Sequence, residues 1–150
     1  MSYAVALIMA LNAVVLAFVV WKGGTPERLG AMLMGLRYGL VDPAYHAFLA
    51  PARFDVLEPG HAAMDIALFL AMAWLALRAN RIWPLCMCAC ALVALVGHFV
   101  VLIGFRGQQL AYWGMTQIPL FLELTCIVAG TISHRLRLNH YGPYRNWRLA

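Results

Sequence analysis

The sequence predicts an all-α fold, a polytopic bundle of five membrane-spanning helices that forms one domain over residues 1–150. Of its 150 residues, 64% are hydrophobic and 11% are charged, and the mean hydropathy is +0.77. Soluble domains are nearer 45–50% apolar and about 25% charged. The apolar residues also form continuous runs without alternation, which favours helices over a β-barrel.

The meaning of the net charge of +5 depends on where the basic residues lie in the sequence. In a soluble protein such an excess could indicate nucleic-acid binding. Here the basic residues flank the apolar runs, a pattern typical of topology signals and of contact with anionic lipid. We therefore expect the lipid bilayer as a partner and no nucleic acid.

The first predicted span covers residues 3–21, an uncharged run long enough to cross ~30 Å of hydrocarbon. Trp21 and Lys22 mark the membrane interface at its end. A Gly-Gly turn then leads into a helix start. There the sequence predicts Thr25 as N-cap, Pro26 in the first helical position and Glu27 in the first turn.

Residues 29–50 allow two interpretations. Arg37, Asp42, Pro43 and His46 interrupt their apolar face, so hydropathy alone favours an amphipathic helix on the membrane surface and only four spans. In that arrangement the basic residues divide six and five between the two sides. If the segment crosses, the division becomes eight and two, with Arg37 inside the span, and the positive-inside rule favours this arrangement.

We therefore predict five spans, with the N-terminus outside and the C-terminus in the cytoplasm. The outside basic residues are then Arg53 and Arg106. The eight cytoplasmic ones are Lys22, Arg28, Arg78, Arg81, Arg135, Arg137, Arg145 and Arg148.

The remaining spans follow from breakers and apolar runs. A loop at 51–60, rich in proline and acidic residues, precedes a third span at 61–77 and a fourth at 82–105, which are joined by a basic hinge. A tight turn at 107–109 leads into a fifth span, 110–133, where Tyr112 and Trp113 are typical of an aromatic belt.

The tail, residues 134–150, alternates basic and aromatic residues. This pattern favours a cytoplasmic segment that rests on anionic headgroups. The lipid-facing residues would be Arg135, Arg137, Arg145 and Arg148.

Two motifs carry a resemblance. Gly-Gly-Thr-Pro-Glu-Arg at 23–28 follows the first span, and Leu-Arg-Ala-Asn-Arg-Ile-Trp-Pro-Leu at 77–85 precedes a span that contains Gly97 and His98. In these motifs, and over most of the chain outside 38–60, the sequence resembles a group of small bacterial inner-membrane proteins. The resemblance implies a bacterial inner-membrane location, and it carries no activity or site residue across.

Several polar residues are predicted to lie inside the spans, where an ionised side chain costs about 2.5–3.5 kcal/mol near the centre. They must therefore face one another or water. Counting about 1.5 Å per residue from the span ends, we expect the pairs Asp65–His98 and Arg37–Glu123. The full polar set is Arg37, Asp42, His46, Asp65, His98, Gln117 and Glu123.

This polar set has four interpretations. It could be a structural network that fixes helix registry or a subunit boundary, or a path for protons or ions. It could also be a metal site built from Asp42, His46, Asp65 and His98. The fourth interpretation is haem b bound between His46 and His98. We expect His61 to be an interfacial residue and not a ligand.

The four cysteines all fall inside apolar runs, without the spacing of a disulfide framework or a zinc knuckle. Counted depth puts Cys90 near Cys126, and soft thiolates would select copper(I) or zinc. Neutral thiols packed as small hydrophobic groups are the favoured interpretation. The four residues are Cys86, Cys88, Cys90 and Cys126.

These patterns favour a non-enzymatic subunit or accessory protein of a membrane assembly, because short loops leave no soluble domain for catalysis. Such a protein would pack against itself or other membrane subunits and needs no cofactor. The alternative is a small proton, ion or metal transport protein, or a haem b redox protein, that uses the polar set. No phosphate-binding loop or catalytic triad pattern points to an enzyme.

Overall fold

Helices dominate the computed structural model, which describes residues 3–49, 57–103 and 108–148. Within those ranges the regular structure is helical apart from an isolated β-bridge between Ala79 and Trp147, so the all-α class is confirmed. In chain order the elements are α1 (Tyr3–Lys22), α2 (Thr25–Met34), a π-helical segment (Gly35–Val41), α3 (Asp42–Phe48), α4 (Pro59–Arg78), α5 (Trp83–Gly97), a 3₁₀ turn (Val100–Ile103) and α6 (Gln108–Tyr141).

The described residues form five helical rods, because α2, the π-helical segment and α3 follow one another without a break. Several bounds differ from the predicted spans. α5 ends at Gly97 and not near 105, and α6 continues to Tyr141 and not to 133. Two helical stretches, Pro59–Arg78 and Leu110–Tyr141, are long and apolar enough to cross a membrane, whereas Ala6–Lys22 and Trp83–Gly97 are shorter apolar helices.

The second rod begins earlier than predicted. α2 starts at Thr25, and its N-cap is Gly24 and not Thr25. The Gly24 N–H donates to Glu27 Oε2 at 3.1 Å. A carboxylate in the first turn therefore satisfies the backbone donor at the helix start.

The π-helical segment changes which side chains share a face. The Asp42 N–H donates to the Arg37 carbonyl, five residues back. Pro43 has no N–H, so it cannot continue the regular α-helical bonding pattern. In a regular α-helix, neighbours on one face are three or four residues apart. The wider turn instead brings Arg37 and Asp42, five residues apart, into direct contact.

Trp83 fills the space where three rods meet. A Cβ on Gly130 of α6 would overlap the Trp83 ring, and one on Gly30 of α2 would lie 2.8 Å from it. Small residues at such positions let helix backbones approach closely. The surrounding core contains Val19, Met34, Met72, Met87 and Ile127, all fully buried.

The surface exposes many large apolar side chains, and some charged side chains are buried. Large apolar side chains are exposed on all five rods, for example Leu7 (72%), Leu70 (60%) and Leu110 (74%). Glu27 and Glu123, by contrast, are fully buried. Soluble proteins rarely bury carboxylates or expose contiguous apolar surface on every side.

Candidate functional site

Most of the buried polar residues lie near the two ends of α4, together with some partly exposed partners. Near its N-terminus lie the Arg37 triad (Arg37, Asp65 and His98) and the His–Asp cluster (Asp42, His46, Glu58 and His61). Beyond its C-terminus lies the hinge clasp (Glu27, Arg81, Trp83, His134 and Asn146).

The Arg37 triad is held by charged hydrogen bonds. Arg37 donates from Nε and Nη2 to Asp65 Oδ1 at 3.0 and 2.8 Å. The other carboxylate oxygen, Asp65 Oδ2, lies 2.9 Å from His98 Nε2, and His98 Nδ1 lies 2.8 Å from the Tyr112 hydroxyl. The predicted Asp65–His98 pair is therefore confirmed. Tyr112 is buried and bonded to the triad, so it does not belong to an aromatic belt.

The predicted Arg37–Glu123 pair is wrong. The remaining Arg37 nitrogen, Nη1, donates to Asp42 Oδ1 at 2.8 Å. Glu123 Oε2 instead accepts from the Tyr38 hydroxyl at 3.3 Å, and Glu123 Oε1 has no partner among the described residues. The reason is the direction in which the side chains leave the helix axis. The π turn directs Arg37 towards Asp42 and α4, while the next residue, Tyr38, reaches α6.

The His–Asp cluster forms where α3 meets the start of α4. His61 Nε2 lies 3.1 Å from His46 Nε2 and 3.3 Å from Asp42 Oδ1. His46 Nε2 lies 4.0 Å from Asp42 Oδ2. On its other side, His61 Nδ1 lies 3.1 Å from Glu58 Oε2. Among the residues that the structure describes, Asp42, His46 and His61 are the one group of three or more potential metal ligands with donor atoms within 4.8 Å of one another.

The metal site predicted from Asp42, His46, Asp65 and His98 is thus divided between two clusters. Asp42 and His46 join His61, whereas Asp65 and His98 join Arg37. Sequence reasoning missed His61. The available signal was the four-residue spacing of Asp42 and His46, together with a histidine at the start of the next helix.

The histidine pair proposed for haem b does not fit this arrangement. Both ring nitrogens of His98 are engaged, by Asp65 and by Tyr112. His46 contacts His61 in the other cluster. Iron ligation by His98 would require one of its two hydrogen bonds to break.

The hinge clasp joins the two motifs that carry the sequence resemblance. Glu27 Oε1 accepts from Arg81 Nε at 2.9 Å and from Trp83 Nε1 at 3.0 Å. Arg81 Nη2 donates to Asn146 Oδ1 at 2.8 Å. Glu27 is fully buried and Arg81 nearly so, so a buried ion pair joins the second rod to the hinge, and a hydrogen bond from Arg81 adds the tail.

His134 occupies the same clasp as a neutral imidazole. Arg81 Nη2 lies 3.2 Å from its Nδ1, and the Tyr144 hydroxyl lies 2.8 Å from the same atom. Burial raises the pKa of Tyr144, so the hydroxyl keeps its proton. An arginine nitrogen can only donate, so Nδ1 must accept and the imidazole proton sits on Nε2.

The tail folds back onto the hinge. Asn80 N–H donates to the Asn146 carbonyl at 3.0 Å, and Arg148 N–H donates to the Arg78 carbonyl at 2.9 Å. Contact with anionic headgroups stays a prediction. The side chains on which it depends are exposed: Arg135, Arg137, Arg145 and Arg148.

The other predicted polar residue and the four cysteines lie outside these three clusters. Gln117 is half-buried on α6 and makes no hydrogen bond with another described residue. Cys126 contacts both Cys86 and Cys90, which confirms the predicted proximity of Cys90 and Cys126. All four cysteines are free thiols. Arg53, Arg106 and most of the 51–60 loop lie outside the described residues.

Comparison with protein-family models, curated proteins and solved structures gives no match.

Proposed function

We propose that this chain is a five-span protein of a bacterial inner membrane that acts as a non-enzymatic subunit or accessory protein of a membrane assembly. Its N-terminus lies outside and its C-terminus in the cytoplasm. The observation that carries the proposal is the exposure of large apolar side chains on all five rods, together with charged side chains buried beside the apolar core. Hydrocarbon is the solvent that favours this distribution.

The position of Glu27 supports five spans over four. Glu27, at the start of the second rod, is bonded to Arg81, just beyond the end of α4. These two ends therefore belong to one side of the bundle, which fits a second rod that crosses antiparallel to α4. The same rod buries Met34 and Arg37, which a helix lying on the membrane surface would not do.

The short fourth rod is compatible with crossing. α5 has 15 residues, about 22 Å at 1.5 Å per residue, and after a turn at His98 the chain continues through the 3₁₀ turn to Ile103. His98 is almost fully buried. Irregular backbone at membrane depth is tolerated where protein surrounds it.

The subunit role is favoured over a proton path by the place of Arg37. The hydrogen-bonded chain from Asp42 to His98 runs through its guanidinium. Arginine does not release its proton in proteins, so it interrupts a relay. A buried charged network of this kind instead fixes how the helices register against one another.

A second candidate is an ion-binding or transport protein. It is favoured by the His–Asp cluster, whose side chains are partly exposed at one end of the bundle. An ion that moved from this cluster to the other end of the bundle would have to cross the apolar layer around Met72 and Met87, both fully buried.

Reporter fusions test the topology. A reporter fused after Arg28 or after Arg148 should be active only in the cytoplasm, and one inserted in the 51–60 loop only outside. An external reporter at Arg28 contradicts the five-span arrangement and returns residues 29–50 to the membrane surface.

Extraction in a mild detergent tests the role. A complex clearly larger than the 16.6 kDa chain in its micelle, isolated with stoichiometric partners or further copies, is the expected result. A monomer that moves protons or ions across reconstituted vesicles would favour the second candidate. An arginine-to-methionine change at Arg37 should then alter the transport rate.

A further inference from the structure

We propose that Asp42, His46 and His61 bind one divalent transition-metal ion of the zinc type, where α3 meets α4. The proposal goes beyond the subunit role and does not depend on it.

The donor atoms already have nearly the spacing of a metal site. Zinc bonds of about 2.0–2.1 Å to nitrogen and oxygen place two tetrahedral ligands about 3.3–3.4 Å apart. The two His Nε2 atoms are 3.1 Å apart. Asp42 approaches them with different oxygens, since His61 Nε2 lies 3.3 Å from Oδ1 and His46 Nε2 lies 4.0 Å from Oδ2. One donor atom from each residue lies within 4.8 Å of the other two, so a rotation of the carboxylate would bring one oxygen to both imidazoles.

Two of the ligands are oriented by groups that would not bind the ion. Metal-bound histidines almost always donate their second N–H to a carboxylate, a carbonyl or water. Glu58 Oε2 lies 3.1 Å from His61 Nδ1 but makes no hydrogen bond there, and a small reorientation of either side chain would let it accept this N–H. Arg37 Nη1 donates to Asp42 Oδ1 at 2.8 Å, which orients the Asp42 carboxylate.

The local sequence explains how the ligands meet. Asp42 and His46 are four residues apart on α3 and so lie on one face. His61 is in the first turn of α4, directly after Gly60. A Cβ on Gly60 would overlap the Tyr45 ring, so the absence of a side chain there lets the start of α4 approach α3.

Ligand type and charge select the ion. Two imidazoles and one carboxylate suit zinc, copper or nickel, whereas calcium and magnesium prefer oxygen ligands alone. Three carboxyl groups, of Asp42, Glu58 and Asp65, and the Arg37 guanidinium surround the site. Their formal charges sum to −2, which attracts a cation. The Asp42, His46 and His61 side chains are 31%, 26% and 14% exposed, so an ion can enter from outside the bundle.

Zinc titration of the full-length protein in detergent, after removal of metal with a chelator, tests the site. We expect one zinc per chain and no displacement by excess magnesium. His46→Gln and His61→Gln should each weaken binding by at least about 100-fold, because even a second-shell change typically costs about 10–100-fold. Glu58→Gln should fall within that second-shell range. The matched control is His140→Gln, which removes an exposed histidine at the far end of α6.

Cobalt(II) gives a second measurement that does not depend on every variant folding. Its visible absorption should show low-coordinate nitrogen and oxygen ligation in the wild type and should change in His46→Gln. The proposal is overturned if the wild type binds no stoichiometric zinc or cobalt. It is equally overturned if His140→Gln weakens binding as much as His46→Gln, or if magnesium displaces zinc.

Discussion

The replacement Asp65→Asn should destabilise the protein strongly, because it removes the charge that neutralises Arg37. The Arg37 and Asp65 side chains are 10% and 6% exposed. Removing one partner of such a buried pair typically costs ~3–5 kcal/mol. Asp42 still faces the guanidinium at 2.8 Å, so we expect the lower end, about 3 kcal/mol.

The expected loss of stability can be measured as a shift in the melting temperature. For a chain of this size 1 kcal/mol corresponds to about 2–4 °C, so thermal unfolding in detergent should shift down by roughly 6–12 °C. The matched control is Asp42→Asn, which removes the other carboxylate on the same arginine. The Asp42 side chain is 31% exposed, so its loss should cost only about 1 kcal/mol, as for surface ion pairs.

A double-mutant cycle with His98→Phe tests the contact itself. The single His98 change should cost about 1–3 kcal/mol, because phenylalanine has no N–H and leaves Asp65 Oδ2 without a donor in a buried site. The double variant should lose less than the sum of the two single losses, by about 0.5–3 kcal/mol. The reasoning is refuted if the two losses add, or if Asp42→Asn lowers the melting temperature as much as Asp65→Asn.

Three further predictions use the same thermal assay. Arg81→Met should cost ~3–5 kcal/mol, because it leaves the carboxylate of the hinge clasp buried without its cation. The control Arg78→Met, at an exposed position in the same hinge, should change stability by no more than about 0.5 kcal/mol. Equal losses in the two variants would contradict the clasp. Gly130→Ala should cost about 1–3 kcal/mol, because the new Cβ would overlap an indole ring. In the control Gly114→Ala the new Cβ would have no atom closer than 3.7 Å, so this change should be neutral or stabilising by about 0.5–1 kcal/mol. The opposite order of stability would contradict this packing. Replacing all four cysteines with alanine should leave the oligomeric state unchanged at about 1 kcal/mol each, and loss of a bound metal or of assembly would show that the thiols are functional. That variant changes Cys86, Cys88, Cys90 and Cys126.

Counting residues along the chain predicts the level of a residue along its helix better than the direction in which its side chain points. The length of each apolar run and the rise per residue predict depths for Asp65 and His98 that agree within about one helical turn, and these residues are in contact. The same count predicts an Arg37–Glu123 pair, which is wrong because residues at similar depth can face different neighbours. The π-helical segment added to the error, since periodicity assumes 3.6 residues per turn throughout.

The contacts between the turns and the tail could not be predicted from the sequence. The sequence indicates a helix start at Glu27 and a topology signal at Arg81, and each interpretation is locally sound. Their contact spans 54 residues, and Asn146 joins it from the tail. No periodicity or spacing rule connects such positions, because a folded arrangement of three separate turns is needed to bring them together.

The Arg37–Asp65 contact also has a consequence for how the protein is made. In the proposed five-span arrangement Arg37 is synthesised 28 residues before Asp65. A second rod released alone into lipid would keep Asp42 on Arg37 Nη1, but the Nε and Nη2 donors would lack an acceptor, at a cost of about 1–3 kcal/mol each. The second and third rods should therefore leave the insertion machinery together, as a hairpin whose Arg37–Asp65 hydrogen bonds form before it meets lipid. Loss of Asp65 would then appear first as nascent chains that insert inefficiently, before any mature protein is available to melt.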